Sequence, residues 1–250
     1  MAKKSGIGQA LYLHGYDLTG DVGAVNTCAA RRAALDVTAL DKGAMERIYG
    51  LGDGEISFNC FFNDATGQEH DALKSLPTTD VLAMYLMGTT RGDQVATLSG
   101  KQVNYDWNRG ADGSLLGTVQ IIGAAGVALE WADLLKAKGT HASATDETGL
   151  DGSAQSTSGA VGYLQHFSAA SGTVEYDIED SSDSTNGIDG VWANLLAFSD
   201  VATPWARTAQ RVAVAGTVER WVRASTNGTF TTAVFAMALR RRLATDLDAA

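Results

Sequence analysis

The chain has 250 residues, 45% of them hydrophobic and 19% charged, a composition that excludes intrinsic disorder and suffices for one large or two ordinary cores. A formal net charge of −10 excludes stable wrapping of nucleic acid, because an acidic surface gains nothing from counterion release. It is compatible with DNA as a passing cargo, since an acidic wall repels phosphates.

Two prolines stand against 28 glycines, and Val, Thr, Ala and Ser are plentiful, which favours strands joined by glycine turns. No apolar stretch follows the lysines of MAKKSG, so no signal peptide is expected. No run of about 18 apolar residues marks a membrane span. Cys28 and Cys60 are expected as two reduced thiols, with a disulfide the alternative.

Leu11-Tyr12-Leu13 predicts a short strand, and Asp17 to Arg32 reads as a loop punctuated by glycines. Arg31 and Arg32 are expected to be solvated or salt-bridged. The stretch Leu35 to Asp64 combines a polar loop, a tight turn at Gly50 to Gly54, and a strand. In that strand Ile56, Phe58, Cys60 and Phe62 point to one side, and Glu55, Ser57 and Asn59 to the other. One wet face implies an antiparallel sheet open to solvent or to a channel. Leu73 and Leu76 are spaced for a helical turn within 65–76, capped by Asp64 and ended by Pro77.

Val81 to Met87 predicts a strand buried on both faces. Gln102 to Asn108 alternates, with Val103, Tyr105 and Trp107 apolar against Gln102, Asn104, Asp106 and Asn108. After a turn at Arg109 to Gly113, Ser114 to Ile122 alternates again, with Ser114, Thr118 and Gln120 outward, so the pair forms a hairpin. Val127, Trp131, Leu134 and Leu135 have helical spacing; an extended VALEW followed by a turn is the alternative.

From 139 to 158 the chain is small and polar, a linker signature that divides an assembly domain (1–138) from an outer domain (159–243) and a flexible tail (244–250). In the second half Thr173 to Asp180 alternates sharply, and Trp192 to Phe198 and Arg207 to Val214 read as strands. Thr217 to Ala224 and Phe230 to Leu239 read as a hairpin over Asn227-Gly228. Five or six short strands predict a compact β-sandwich, Ig-like or jelly-roll-like. No Lys or Arg occurs between Gly139 and Ala206, whereas the last 44 residues carry seven arginines, so acidic and basic strands are expected side by side.

No catalytic constellation emerges. The four histidines are scattered, with no zinc spacing, no G-x-S-x-G and no phosphate-binding glycine motif. Glu69-His70-Asp71 are consecutive and so point in different directions. Asp177, Glu179, Asp180, Asp183 and Asp189 form the strongest ligand-like cluster, either a calcium loop or an acidic edge facing the arginine strands. Trp192, Trp205 and Trp221 read as core residues, with a sugar-binding face the alternative. No enzyme activity, catalytic residue, metal or cofactor is therefore expected.

The run LDVTALDKGAMERIYGLGDGEISFNCFFND, followed by LPTTDVLAMYLMG and KQVNYDWNRGADGSL, resembles the major tail (tail tube) proteins of long-tailed, siphovirus-type phages of actinobacteria. The resemblance covers about Gly15 to Trp131. It implies a mainly β fold: a tail-tube-type β-sandwich or barrel with a short helix, plus an outer C-terminal β-sandwich. It implies stacked, hexameric rings of this chain, contact with other tail proteins, phage DNA passing through without sticking, and no membrane partner. The location would be the virion tail, after synthesis in the bacterial host cytoplasm. Glu55, Ser57, Asn59, Gln102, Asn104, Asp106, Ser114, Thr118 and Gln120 would then line the channel. The long loop with Asp41, Lys42, Met45, Glu46 and Arg47 would reach the next ring. Two other readings stand beside it: another virion component, such as a capsid decoration or tail-tip protein, and a carbohydrate-binding module.

Overall fold

The computed structural model describes residues 5–124 and 126–243, and these are almost entirely antiparallel β. β1 (Ala10–Leu13) and β2 (Tyr16–Asp17) open the chain, and β3 (Val22–Asp36) and β4 (Arg47–Phe61) follow as a long hairpin. A short helix, α1 (Glu69–Leu73), leads to β5 (Val81–Leu86), β6 (Gln94–Arg109) and β7 (Leu115–Gly123). β8 (Glu130–His141) precedes two small strands, β9 (Thr145–Asp146) and β10 (Leu150–Asp151). The second half holds β11 (Ala160–Ser181), β12 (Ala193–Ala197), β13 (Val201–Ala202), β14 (Thr208–Val214) and β15 (Trp221–Arg241). The expected tail 244–250 lies outside the described residues.

β6 is the branch point of the fold. Its first half lies between β5 and β8, and from Gly100 to Arg109 it pairs with β7 instead. β7 pairs with β4, and β4 with β3, so a β3-β4-β7-β6 sheet branches off the body. Gly100 sits where the ladders part, and a Cβ there would lie 2.2 Å from the Ile122 carbonyl oxygen.

β1 and β5 are buried on both faces, as expected for the apolar run at 81–87. Leu11, Leu13, Val81 and Ala83 enter one core with Ile56, Phe58, Cys60, Val119 and Ile121. Their sequence neighbours Ala10, Tyr12, Leu82 and Met84 enter a second core with Val161, Tyr163, Ala236 and Ala238. A third core forms inside the C-terminal half, where Leu164 packs with Val174, Tyr176 and Ile178, and Val222 with Phe235 and Met237. β11 and β15 pair along nearly their whole length and fold back together, so one strand pair supplies both layers of a sandwich.

Five local expectations are corrected. Residues 17–32, read as a loop, form most of β3. Gly50 to Gly54 are strand, not turn: none has positive φ, and Cβ atoms would meet Ala33 at Gly50, Ala128 at Gly52 and Leu129 at Gly54. The helical spacing of 127–138 belongs to β8. Leu134 and Leu135 enter different cores, as neighbours on a strand do, and the bulge at Leu135 shifts the period beyond it, so the apolar spacing mimics a helical face. Asn227-Gly228 does not close a hairpin; β15 runs through it, and Gly228 (φ 87°) pairs with Val174. The segment 139–158, read as a linker, carries the end of β8 together with β9 and β10, all paired to β15.

Beside the second core, the two halves also meet at a buried charge. Glu130 on β8 is 5% exposed and accepts Arg211 Nε at 2.7 Å, Arg211 Nη2 at 3.0 Å and Tyr163 Oη at 2.6 Å, with Arg240 also bound. Burial opposes its charge, but the Arg211 and Tyr163 hydrogen bonds and both guanidinium charges outweigh it, and the carboxyl titrates below the usual glutamate range. Farther along β8, His141 and Lys136 bind Glu147. The His141 hydrogen bond, opposed by burial and reinforced by Lys136, lowers the Glu147 carboxyl from 4.5 to about 2.

Both carboxyls are depressed in the folded state, so their stabilisation is complete above the ordinary glutamate value and is lost as pH falls through the folded one. Circular dichroism against pH should show stability declining from about pH 4.5 toward about pH 2, with a shallower decline in Glu147→Gln. Glu130→Ala removes the carboxylate shared by two guanidinium groups and a phenol and should cost about 3–5 kcal/mol. Gly100→Ala should cost about 1–3 kcal/mol by overpacking, whereas Gly43→Ala, with open space around it, should stay within about 0.5 kcal/mol in the same urea titration.

Candidate functional site

The β3-β4-β7-β6 sheet has one apolar face against the first core and one polar face outward. Register places Asn59 beside Thr118, Ser57 beside Gln120, Gln120 beside Asn104, and Thr118 beside Asp106. Seven of the nine expected channel-lining residues, Glu55, Ser57, Asn59, Asn104, Asp106, Thr118 and Gln120, therefore share one face. A network ties them together. Gln120 Nε2 donates to Glu55 at 3.0 Å, Arg31 bridges Glu55 at 2.6 Å, Asn26 donates to Asn59 at 2.9 Å, and Asn104 donates to Asp106 at 2.8 Å.

Gln102 and Ser114 depart from the expectation. A bulge between Gln102 and Asn104 reverses the alternation there. Gln102 is buried, its Nε2 donating to the Leu73 carbonyl at 2.9 Å, and Val103 turns outward. Ser114 precedes β7 in the turn, with its hydroxyl on Asp112 at 2.7 Å.

Both edges of this sheet are open. Among the described residues β3 pairs only with β4, and β6 beyond Gly100 pairs only with β7. Three register shifts along β3 roughen its edge, a device that discourages indiscriminate strand pairing. Beside the β6 edge lies an aromatic cluster of Phe62, His70, Tyr105 and Trp107, with ring centroids 4.9 to 5.8 Å apart. Beneath it Cys60 donates to Glu69 at 3.1 Å. Burial and that carboxylate raise the thiol far above its usual range, and burial raises Glu69.

The hairpin outruns the sheet. β7 ends opposite Glu55, but β3 and β4 stay paired from Arg31–Asp53 to Asp36–Arg47, an arm of roughly 20 Å at strand rise. The expected contact residues Asp41, Lys42, Met45 and Glu46 occupy its tip, and Arg47 begins β4. The tip is ordered: Asp36 accepts the Thr38 amide at 2.9 Å, Thr38 Oγ1 accepts the Glu46 amide at 2.8 Å, and Lys42 lies 3.4 Å from Glu46. Leu35, Leu40, Met45, Ile48, Tyr49 and Leu51 are all exposed along the arm, Leu51 by 90%. Of these only Met45 was anticipated. The pairing of Leu35 with Ile48 was hidden because Gly50 to Gly54 read as a turn. At the arm's base, Gly50, Gly52, Gly123, Gly126 and Arg31 line a cleft of about 820 Å³.

The other candidates are occupied within the chain. Glu69, His70 and Asp71 diverge, toward Cys60, Tyr105 and Lys74 respectively. Asp177 accepts Asn194 and Asn227, Glu179 pairs with Arg223, Asp180 accepts the Glu219 amide, and Asp183 and Asp189 hold their own loop. Among the described residues no group of three or more His, Cys, Asp or Glu side chains could hold a metal ion. Trp221 is buried, Trp205 stacks on His166, and Trp192 lies under Arg223. Both cysteines are free. No described helix is long and apolar enough to cross a membrane.

No protein-family model matches the chain, and no curated protein matches it. Among solved structures, a chain of the native gene transfer agent virion covers 51% of this chain and 99% of itself, at 13% identity and TM-score 0.42. A chain from the tail of the empty gene transfer agent particle, refined with C6 symmetry, covers 48% and 94%, at 17% identity and TM-score 0.37. The Dit protein of phage SPP1, described as a hub of the adsorption apparatus, covers 93% and 99%, at 14% identity and TM-score 0.32.

The two faces of β4 are separable by labelling. On the full chain, Asn59→Cys or Thr118→Cys should react with a maleimide within minutes, whereas native Cys60 should react only in denaturant. Rapid modification of Cys60 in the folded protein would reverse the assignment.

Proposed function

We propose that this chain is a structural subunit of a phage tail, and specifically the major tail tube subunit, polymerising as stacked, hexameric rings around the channel for DNA. The observation that carries this reading is the β3-β4-β7-β6 sheet, with a hydrogen-bonded polar face and an open edge on each side. β3 and β6 are antiparallel to each other within the sheet. Pairing β3 of one copy with β6 of the next therefore continues the same antiparallel ladder around a ring. Such a head-to-tail interface is heterologous, and a closing rotation leaves no edge exposed. The polar face then lines the lumen.

That lumen suits DNA in transit. Its residues are mostly uncharged amides and hydroxyls, with Arg31 neutralised by Glu55, so phosphates meet no row of unpaired cations. In this reading the arm makes the contact along the tube axis. Residues 159–243, joined to the body through β8 and the Glu130 clasp, face the outside. The partners are further copies of the chain and other tail proteins.

Negative-stain microscopy of the purified full chain tests the reading. Hollow stacked rings are expected; isolated single rings would favour a tail-tip component, and discrete monomers or trimers a shell decoration protein. Met45→Ser with Arg47→Glu should abolish stacking while leaving the urea midpoint unchanged. Normal tubes from that variant would remove the arm from the contact.

A further inference from the structure

We infer that the arm of one subunit docks on the opposite end of the same sheet in a second copy, at a rim formed by Phe61 and Leu116. The inference rests on the tube reading above and supplies the receiving surface that reading leaves open. β4 runs from Arg47 at the arm to Phe61 at the other end, and β3 runs the reverse way. Along β4 large apolar side chains stand exposed at both ends and not between them, whereas elsewhere on the sheet Val103 and Ile122 are exposed as well. At the arm these are Leu35, Leu40, Met45 and Ile48. At the rim Phe61 (51% exposed) pairs with Leu116, flanked by Phe62 and Leu115.

The intervening strand carries Glu55, Ser57 and Asn59 on its outward face. Two apolar ends separated by a polar middle suit head-to-tail contact along the strand axis, each end being covered by the other end of a neighbour. Burial of such side chains is worth about 1.5–3 kcal/mol each when complete, so leaving both ends wet in the assembled particle would be unfavourable.

Local construction at the rim fits a receiving surface. Gly23 on β3 lies under the Phe61 ring, where a Cβ would come within 2.9 Å of Cε2. The ring therefore lies flat across the sheet as a platform. Charge also matches. Arg47 is exposed, its guanidinium 2.9 Å from Met45 Sδ, and it takes part in no ion pair among the described residues. The rim end carries the exposed carboxylates of Asp64 and Asp112 beside the exposed Arg109, with Asp106 further in. An arm laid along the rim brings Arg47 to these carboxylates while Leu40 and Met45 cover Phe61 and Leu116.

The test mixes two full-length proteins in a Cys28→Ser background, one carrying Leu40→Cys and the other Leu116→Cys, with a flexible bismaleimide added after assembly. A cross-linked dimer joining residues 40 and 116, identified by mass spectrometry and lost when the assemblies are dissociated, is the expected result. In parallel, Phe61→Ser with Leu116→Ser should keep the urea midpoint and yield single rings, with tube length falling at least tenfold. Normal tubes from that double variant, or tubes without the 40–116 cross-link, would overturn the docking site while leaving the tube reading intact. Absence of any ring or tube from the unmodified chain would overturn both.

Discussion

One strand changing partners makes the rest of the structure possible. Up to Gly100, β6 is walled in by β5 and β8; beyond it, β6 belongs with β7, β4 and β3. The switch needs a residue without a side chain, because the Ile122 carbonyl occupies the space a Cβ would take. Branching gives the outgrowing sheet one face for the first core and another for solvent.

The body from which it branches is held by apolar packing and by charge, with different consequences. β1 and β5 send alternate residues into two cores, so a one-residue slip would exchange every contact on both faces at once. Register is therefore fixed by packing alone. The Glu130 clasp adds little net stability beyond what a well-packed apolar group could supply, since desolvation offsets most of its Coulombic gain. Its contribution is selectivity. Only one placement of β8 among β11, β14 and β15 satisfies that carboxylate with two guanidinium groups and a phenol.

Legibility in the sequence followed burial geometry. Ile56, Phe58 and Cys60, buried on one face, showed the period of a strand, and so did Val119 and Ile121. The run at 81–87 was readable because burial on both faces leaves an unbroken apolar string. Reading failed where one residue broke the period. The bulge at Gln102 moved a polar side chain inward, and the bulge at Leu135 made a strand resemble a helix. The arm was obscured for a different reason. Its glycines serve close packing against Ala33, Ala128 and Leu129, and glycine in a sequence does not say whether it is needed for a turn or for room. β15, of 21 residues, looked like two strands because Asn227-Gly228 has the chemistry of a turn, and of the 22 residues of β11 only Thr173 to Asp180 showed a strand's alternation.

The position of β15 along the chain also bears on how a subunit comes into being. It pairs with β8, β9, β10 and β11, all of which leave the ribosome earlier. Until it arrives, those strands lack a neighbour, and the second and third cores lack Val222, Phe235 and Ala238. Long-range pairing of this kind folds slowly and leaves partly built edges exposed. The β3-β4 hairpin, by contrast, joins residues close in sequence and can form while synthesis continues. The β3-β4 arm is thus available before the body is closed, so a newly made chain exposes Leu40 and Met45 while its last strand is still to come.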